Sequence, residues 1–209
     1  MKTRPFVTTT VVFVGMLFFG CATKEGFVSV SDPSQSFELG RLSFLAPPGE
    51  GWEYEKRGSS PAQSMLFLKR GGLGTPGFGA SVWQYRADVP VTSEKDLWEY
   101  VLSPFRDAID SQEQLEILKT ECGHDESFAK VGVRCLVEGR HHLEGNFWID
   151  GMNPGDVVTV RGHAYAFVHP DDNRLIGAVD YFQGGLPEEL TADTKTLLSE
   201  FARSVTIRK

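Results

Sequence analysis

Most of the chain after residue 40 alternates apolar and polar residues, which is typical of β-strands. Leu42, Phe44 and Ala46 are spaced two apart in "RLSFLAP", and this period predicts a strand with one buried side. The pattern recurs in "SMLFLKR", "FGASVWQYR", "EQLEILKTEC", "KVGVRCLVEGRHH", "DVVTVRGHAYAFVHP" and "RLIGAVDYFQG". Because strand follows strand through short turns, we expect an antiparallel sheet.

Two segments place their apolar residues at helical spacing instead. The first, 93–110, begins with Ser93 as its N-cap, and the second, 191–204, begins with Thr191. The residues expected to face inward are Leu97, Val101, Phe105 and Ile109 in the first helix and Leu197, Leu198 and Phe201 in the second. One helix in the middle of the strands and another near the end of the chain predict an α+β fold.

This order of elements resembles the Mog/PsbP family. The likeness begins with Leu42 and Phe44 of the opening strand, continues with the break at Pro47 and Gly49 before Trp52, and ends with "FARSVTI". The resemblance implies an α/β/α sandwich, in which an antiparallel β-sheet is flanked by helices. It also implies an accessory or binding role, since the family shares no catalytic constellation. No individual site residue carries over to this chain.

The first twenty residues have the pattern of an export signal. Lys2 and Arg4 precede the stretch 6–20, which is apolar apart from three threonines and ends in glycine. A basic start, a short apolar run and a small final residue are typical of a secretory signal peptide. The apolar run is also shorter than the roughly 20 residues that a membrane-spanning helix needs.

The signal ends at Cys21, in a pattern that resembles the lipobox of bacterial lipoproteins. Gly20 precedes the cysteine, although two phenylalanines stand where Leu and Ala or Ser are usual. The resemblance implies removal of residues 1–20 and lipidation of Cys21, and more than one acyl chain gives stable anchoring, at about 0.8 kcal/mol per buried methylene. Plain secretion and an uncleaved anchor are the alternatives. In a Gram-negative cell, Ala22 rather than Asp after the cysteine would favour the outer membrane.

The remainder of the chain predicts one domain on a tether. Residues 21–39 are rich in serine and are typical of a flexible tether, whereas residues 40–209 have the length of a single domain. The whole chain carries 21 Lys and Arg against 28 Asp and Glu, a formal charge of −7, and loss of Lys2 and Arg4 makes the charge more negative. This balance argues against nucleic acid as a partner and against a basic patch for anionic lipid.

Cys122 and Cys135 form an even pair once the lipid-modified cysteine is set aside. In an exported protein such a pair predicts a disulfide between the two strands that carry it. Free thiols are one alternative, and a metal site with His124 and one of His141 or His142 is another. The spacing matches no recognised zinc pattern, and we predict no metal and no cofactor.

Two short motifs are coincidental matches to a cofactor-binding motif and a catalytic motif. Gly72, Gly74 and Gly77 spell G-x-G-x-x-G, but a strand follows them, so we expect a hairpin loop and not a dinucleotide site. Ser127 and Lys130 spell S-x-x-K, but the partner motifs of penicillin-recognising enzymes are missing. Because no nucleophile, base and orienting group can be aligned, the sequence predicts no catalytic residues and a non-enzymatic protein.

The loop "WIDGMNPGD" is the candidate binding surface. Asp150, Asn153 and Asp156 supply the oxygen atoms that calcium prefers, but their spacing is not that of an EF-hand. Turn chemistry explains the same residues. Trp148 precedes them and is an aromatic residue suited to a binding surface.

The sequence therefore predicts a lipid-anchored protein of the cell envelope that faces the periplasm or the exterior. Its expected role is non-enzymatic binding or assembly, with a protein partner in the envelope. The alternative is a carrier or receptor for a small or lipidic ligand. A deep apolar cavity would favour the carrier, whereas an exposed apolar patch on a filled core would favour the adaptor.

Overall fold

Strands dominate the fold. The computed structural model describes residues 26–59, 61–72, 74–97, 100, 115–127, 129–142, 153 and 155–208. The strands in these ranges are β1 Val28–Ser29, β2 Ser36–Leu39, β3 Leu42–Leu45, β4 Glu53–Ser59, β5 Ala62–Lys69, β6 Gly77–Arg86, β7 Leu115–His124, β8 Gly132–His142, β9 Val157–His169, β10 Asp172–Gly185 and β11 Thr206–Ile207. Helix α1 is described at residues 94–97 and 100, a 3₁₀ turn spans Pro187–Glu189, and helix α2 spans Thr194–Arg203. No helix within the described ranges has the length and apolar character needed to cross a bilayer.

Eight strands form one antiparallel sheet in the order β1-β4-β5-β6-β10-β9-β8-β7. β9 and β10 are buried along most of their length, because both faces of the sheet are covered. Alternate residues of a strand point to opposite faces. In β10, Ile176 and Ala178 belong to one apolar cluster, whereas Val179 and Tyr181 belong to the other. This two-sided burial explains why residues 175–179 of β10 form an unbroken apolar run.

The two faces of the large sheet pack against different elements. We call the face that packs against Val91 and Leu97 the α1 face, and the face that packs against Leu198 and Phe201 the α2 face. The second sheet, in the order β11-β3-β2, contributes to the same cluster as α2. Full burial of one such apolar side chain contributes about 1.5–3 kcal/mol, so both clusters stabilise the sheet.

The predicted α/β/α sandwich is wrong, because strands rather than flanking helices make up most of the described chain. On the α2 face, a three-stranded sheet takes the place that a second helix would have in a sandwich. The physical reason lies in β2, where Phe37 and Leu39 alternate with polar residues and are both buried. The Phe37 ring lies edge-on to the Phe67 ring of β5, with the centroids 5.2 Å apart. The many Ser, Asp and Pro residues around β2 obscure this alternation in the sequence.

The folded part also begins earlier than the predicted boundary at residue 40. β1 pairs with β4, with Val28 opposite Tyr54. The Val30 amide donates to the Trp52 carbonyl oxygen at 2.8 Å. The predicted tether, 21–39, therefore includes two strands of the domain, and only five of its residues precede the described chain.

Side-chain caps fix where both helices begin. The Asp96 amide donates to Ser93 Oγ at 3.1 Å, so Ser93 is the N-cap that the sequence predicts for α1. The N-cap of α2 is Asp193 rather than Thr191. Its Oδ1 accepts from the amides of Lys195 and Thr196, each at 3.1 Å. An aspartate at this position satisfies amides that the first helical turn leaves without partners.

Candidate functional site

The predicted binding loop is described only at its turn. The Asn153 amide donates to Asp156 Oδ2 at 2.7 Å, and the Asp156 amide donates to the Asn153 carbonyl oxygen at 3.1 Å. The Asp156 side chain and the Asn153 backbone therefore act in local turn chemistry, which was the alternative explanation for these residues. Trp148 and Asp150 lie outside the described residues, so their part in a binding surface stays a prediction.

Cys122 and Cys135 are joined by a disulfide, as predicted, with Cα atoms 4.1 Å apart. The bridge ties the edge strand β7 to β8 at directly opposite positions. His124, a member of the alternative metal site, instead forms ion pairs with Glu94 and with Glu126. The hydrogen bond with Glu126 is the main cause that raises the pKa of His124. Across the described ranges, no group of three or more His, Cys, Asp and Glu side chains is arranged to hold a metal.

A cleft that the sequence analysis did not anticipate opens on the α2 face. Its volume is about 710 Å³, which lies within the usual range for ligand sites, about 300–1,000 Å³. The cleft lies between the second half of α2, β11, β8 with β9, and the loop that connects β7 to β8. The lining residues are Asp125, Ser127, Arg134, Tyr165, Pro170, Leu198, Ser199, Ala202, Arg203, Val205, Thr206 and Ile207.

Arg134 is held in position at one wall of the cleft. Its Nη1 lies 3.1 Å from Asp125 Oδ2, and the Asp125 side chain is only 10% exposed. Asp125 is itself fixed, because its Oδ1 accepts hydrogen bonds from the amide and the hydroxyl of Ser127. The Tyr165 hydroxyl donates to the Asp125 carbonyl oxygen at 2.7 Å. A guanidinium oriented in this way loses less conformational freedom when it binds a ligand.

Gly132 makes this arrangement sterically feasible. A Cβ atom at this position would lie 2.5 Å from the Tyr165 hydroxyl oxygen and would overlap with the Asp125 carbonyl oxygen. The Asp125 amide also donates to the Gly132 carbonyl oxygen at 3.0 Å. The β7–β8 loop can therefore close over Tyr165 only because residue 132 has no side chain.

The cleft is locally positive in a protein that is acidic overall. Among the described residues that line it, the charged ones are Arg134, Arg203 and Asp125, whereas the whole chain has a formal charge of −7. Burial raises the pKa of Asp125, but hydrogen bonds from Ser127 and the charge of Arg134 outweigh burial and lower it. Asp125 is therefore ionised at neutral pH and pairs with Arg134, while Arg203 is exposed at the end of α2.

His163 lies on β9, on the same face as Tyr165, and does not add to this positive charge. Its Nδ1 is 2.9 Å from Thr194 Oγ1. Burial lowers the pKa of His163, and the charges of Arg134 and Lys195 lower it further, against an opposing effect of Asp193. The imidazole is therefore neutral at pH 7, and Arg134 and Arg203 are the cations among the described residues that line the cleft.

Sequence reasoning missed the cleft because its walls come from segments that are distant in the chain. One local signal was available in "DES", since an Asp two residues before a Ser is typical of an Asx turn, and Asp125 and Ser127 form such a turn. The S-x-x-K interpretation drew attention to Ser127 for another reason. Nothing in the sequence places this turn opposite α2.

Comparisons with known proteins give little support for a family. No protein-family model and no curated protein matches the chain, so the Mog/PsbP resemblance has no support from either. Among solved structures, the chain is similar to LpqN of Mycobacterium tuberculosis, which is described as involved in cell envelope biogenesis. The TM-score is 0.42, with 12% identity over 88% of this chain and 90% of LpqN. At that level the likeness decides neither fold nor function, so function has to be inferred from this chain's own residues.

Proposed function

We propose that this protein is a lipid-anchored, non-enzymatic binding protein of the bacterial cell envelope, and that it contacts its partner through the cleft on the α2 face. The observation that carries the proposal is the cleft itself, with an arginine already oriented by Asp125 at its wall. A preformed concave site with a few fixed polar groups is the usual form of a binding site.

Two further observations support a location in the cell envelope. The lipobox-like end of the signal favours attachment through Cys21. The Cys122–Cys135 disulfide is typical of proteins that leave the reducing cytoplasm. The partner that we expect is a protein of the envelope and not a nucleic acid, because the chain is acidic overall. In a Gram-negative cell the outer membrane is the favoured location.

A carrier that encloses a lipid between sheet and helix is the second candidate. The packing of α2 argues against it, because Phe201 contacts rings from both sheets. Its centroid lies 5.9 Å from that of Phe67 and 6.5 Å from that of Phe44. The space beneath this part of the helix is therefore occupied by core side chains, and the open cleft is the better candidate for a binding site.

The first test concerns the anchor. The full chain is expressed in bacteria with its own signal, beside a Cys21→Ser variant, and both are examined by intact mass spectrometry with a thiol count. We expect loss of residues 1–20, added acyl chains on Cys21 and no free thiol at Cys122 or Cys135. Unacylated protein in the soluble fraction would refute the anchored location.

The second test concerns the cleft. A photo-crosslinking amino acid replaces Ser199, which lines the cleft, or Lys195, which lies one turn earlier on α2 and outside the cleft. We expect one envelope protein to crosslink from position 199 in intact cells, and the same band to be weaker from position 195. Equal labelling from both positions, or none, would refute the cleft as the contact site.

A further inference from the structure

The outer edge of β11 borders the cleft and carries backbone groups that no strand of the described ranges pairs with. β11 is the terminal strand of the three-stranded sheet, and Val205, Thr206 and Ile207 all line the cleft. An exposed strand edge presents N–H and C=O groups on which another strand can form.

The register of β11 shows which backbone groups face the cleft. Thr206 lies opposite Ser43 and Ile207 opposite Leu42, and the Arg208 amide donates to the Arg41 carbonyl oxygen at 2.8 Å. In an antiparallel pair, hydrogen-bonded and non-hydrogen-bonded positions alternate. Ile207 therefore occupies a non-hydrogen-bonded position towards β3, and its N–H and C=O point away from the sheet.

The wall of the cleft opposite β11 carries the positive charge of Arg134. Arg134 uses Nη1 for Asp125, and a guanidinium has five N–H donors, so further donors remain for a second carboxylate. The Arg134 side chain is 37% exposed and is accessible from solvent. Arg203 adds a second cation at the same opening.

We infer that the cleft takes an extended, acidic segment of the partner protein, which pairs with the edge of β11 and places carboxylates against Arg134 and Arg203. This inference rests on the proposed function and adds the chemistry of the partner. Strand addition to an exposed edge is a recurring mode of peptide recognition, in which main-chain hydrogen bonds give affinity and alternate side chains give specificity. With one outward-facing residue on β11, the binding is weak and depends on the charges.

The test uses a fluorescent, capped pentapeptide that alternates valine and glutamate as the probe, and fluorescence anisotropy with the purified mature domain as the readout. Arg134→Gln should weaken binding at least five-fold, since a charge-assisted hydrogen bond is lost. Arg140→Gln is the matched control. Arg140 lies on the same strand and face and pairs with Glu116 at 3.5 Å, but it is outside the cleft, so its replacement should leave binding unchanged.

Hydrogen bonding between the peptide backbone and the edge of β11 can be tested separately from the charges. Backbone N-methylation of the peptide at the valine positions only, or at the glutamate positions only, should abolish binding in one series and spare the other, because alternate amides of a strand face the same side. Ile207→Pro removes the outward amide without touching the bond to Arg41 and should also weaken binding. Circular dichroism and thermal melting check that each variant is folded.

Three outcomes would overturn the inference. A peptide that alternates valine and lysine could bind as tightly as the valine–glutamate peptide, or binding could stay unchanged in both N-methylated series. The third outcome is that no peptide binds while decyl phosphate binds tightly. The last result would assign the cleft to anionic amphiphiles. If crosslinking from position 199 still captures an envelope protein while the peptides fail, the proposed function stands without this inference. If both fail, the proposed function falls as well.

Discussion

Asp180 places a carboxyl group in the apolar core, with no exposed surface. It lies on β10 directly opposite Ser81 of β6, and the Ser81 hydroxyl donates to its Oδ2. The other carboxyl oxygen, Oδ1, has no hydrogen-bond partner within the described part of the chain. Burial raises the pKa of Asp180 to about 7, against the opposing effect of the hydrogen bonds with Ser81. A group of this kind makes stability depend on pH.

We predict that Asp180→Asn removes a pH dependence of stability. The folded protein binds the Asp180 proton more tightly than the unfolded chain, so the free energy of unfolding falls as pH rises from about 4 to about 7 and then levels off. Between pH 5 and pH 8 the loss should be roughly 2–3 kcal/mol. Urea unfolding at both pH values measures it, and Asp171→Asn, on the exposed β9–β10 turn, is the control. An equal pH dependence in wild type and Asp180→Asn would contradict the prediction.

Arg134 and His163 should be electrostatically coupled. Because the charge of Arg134 contributes to the lowered pKa of His163, Arg134→Gln should raise that pKa. An NMR titration of the His163 ring in both proteins measures the change, and Arg140→Gln should leave the titration as it is in the wild type. An unchanged midpoint in Arg134→Gln would show that the guanidinium does not act on this part of the sheet.

Two glycines give β9 and β10 their close contact. Gly162 lies opposite Phe182, and Gly177 opposite Phe167. A Cβ atom at either glycine would overlap with the ring of its partner. The Phe182 ring thus covers Gly162 on the α1 face, and the Phe167 ring covers Gly177 on the α2 face. The middle of the sheet is therefore specified by cross-strand pairs and not by strand propensity alone.

Gly162→Ala should destabilise the protein by about 1–3 kcal/mol, the usual cost of overpacking a core. The added methyl group would overlap with Phe182 and would lie 2.5 Å from the Tyr181 carbonyl oxygen, so backbone and ring must both shift. Urea unfolding measures the loss. Gly123→Ala on the edge strand is the matched control, since nothing lies within 4 Å of a Cβ there, and it should change stability little. Similar effects of both substitutions would argue against the ring contact.

The edge strand β7 depends on its disulfide. The bridge closes a loop with a sequence separation of 13, for which the chain-entropy model gives roughly 3 kcal/mol. The double variant Cys122→Ser with Cys135→Ala should lose about that much stability in urea unfolding. Wild-type protein under a reductant should fall to the same midpoint. If the midpoint of the double variant equals that of the oxidised wild type, the bridge does not stabilise the fold.

At the scale of elements, the sequence predicts the strands and helix ends whose signal lies within a few neighbouring residues. It fails for a strand whose few apolar residues stand in a polar segment. The alternation of Leu42 and Phe44 locates β3, and Ser93 locates the start of α1, because each signal lies within a few residues. β2 is missed, since only two apolar residues, Phe37 and Leu39, stand among polar ones. Its burial is decided by contact with Phe67, a residue that is distant in the sequence.

At the scale of the whole molecule, the antiparallel sheet is predictable but its layers are not. A run such as "LIGAVDYF" requires cover on both faces, yet it does not say whether a helix or a second sheet provides the cover. The expected α/β/α sandwich assigns helices to that role, whereas the α2 face is shared by α2 with β2, β3 and β11. The cleft follows from this difference, because it opens where α2 and the edge of β11 leave β8 uncovered.

The path of the chain also separates the anchor from the cleft. Five residues lead from Cys21 to Gly26, a reach of at most about 18 Å, and the chain then enters the sheet at its β1 edge. β8, which carries Arg134, lies six strand positions further across the sheet, or about 29 Å at about 4.8 Å per strand. A protein anchored through Cys21 should therefore keep its β1–β4 edge near the bilayer and hold the cleft away from it.

We expect a fluorophore at position 56 on β4 to lie closer to the membrane than one at position 199 on α2. Lys56→Cys and Ser199→Cys are labelled in the acylated protein, whose two other cysteines are joined in the disulfide, and are placed in vesicles that contain a quenching lipid. The label at position 56 should be quenched more strongly, and neither label should respond in a Cys21→Ser background. Stronger quenching at position 199 would mean that the cleft faces the bilayer, where the extended segment of a protein partner cannot enter it.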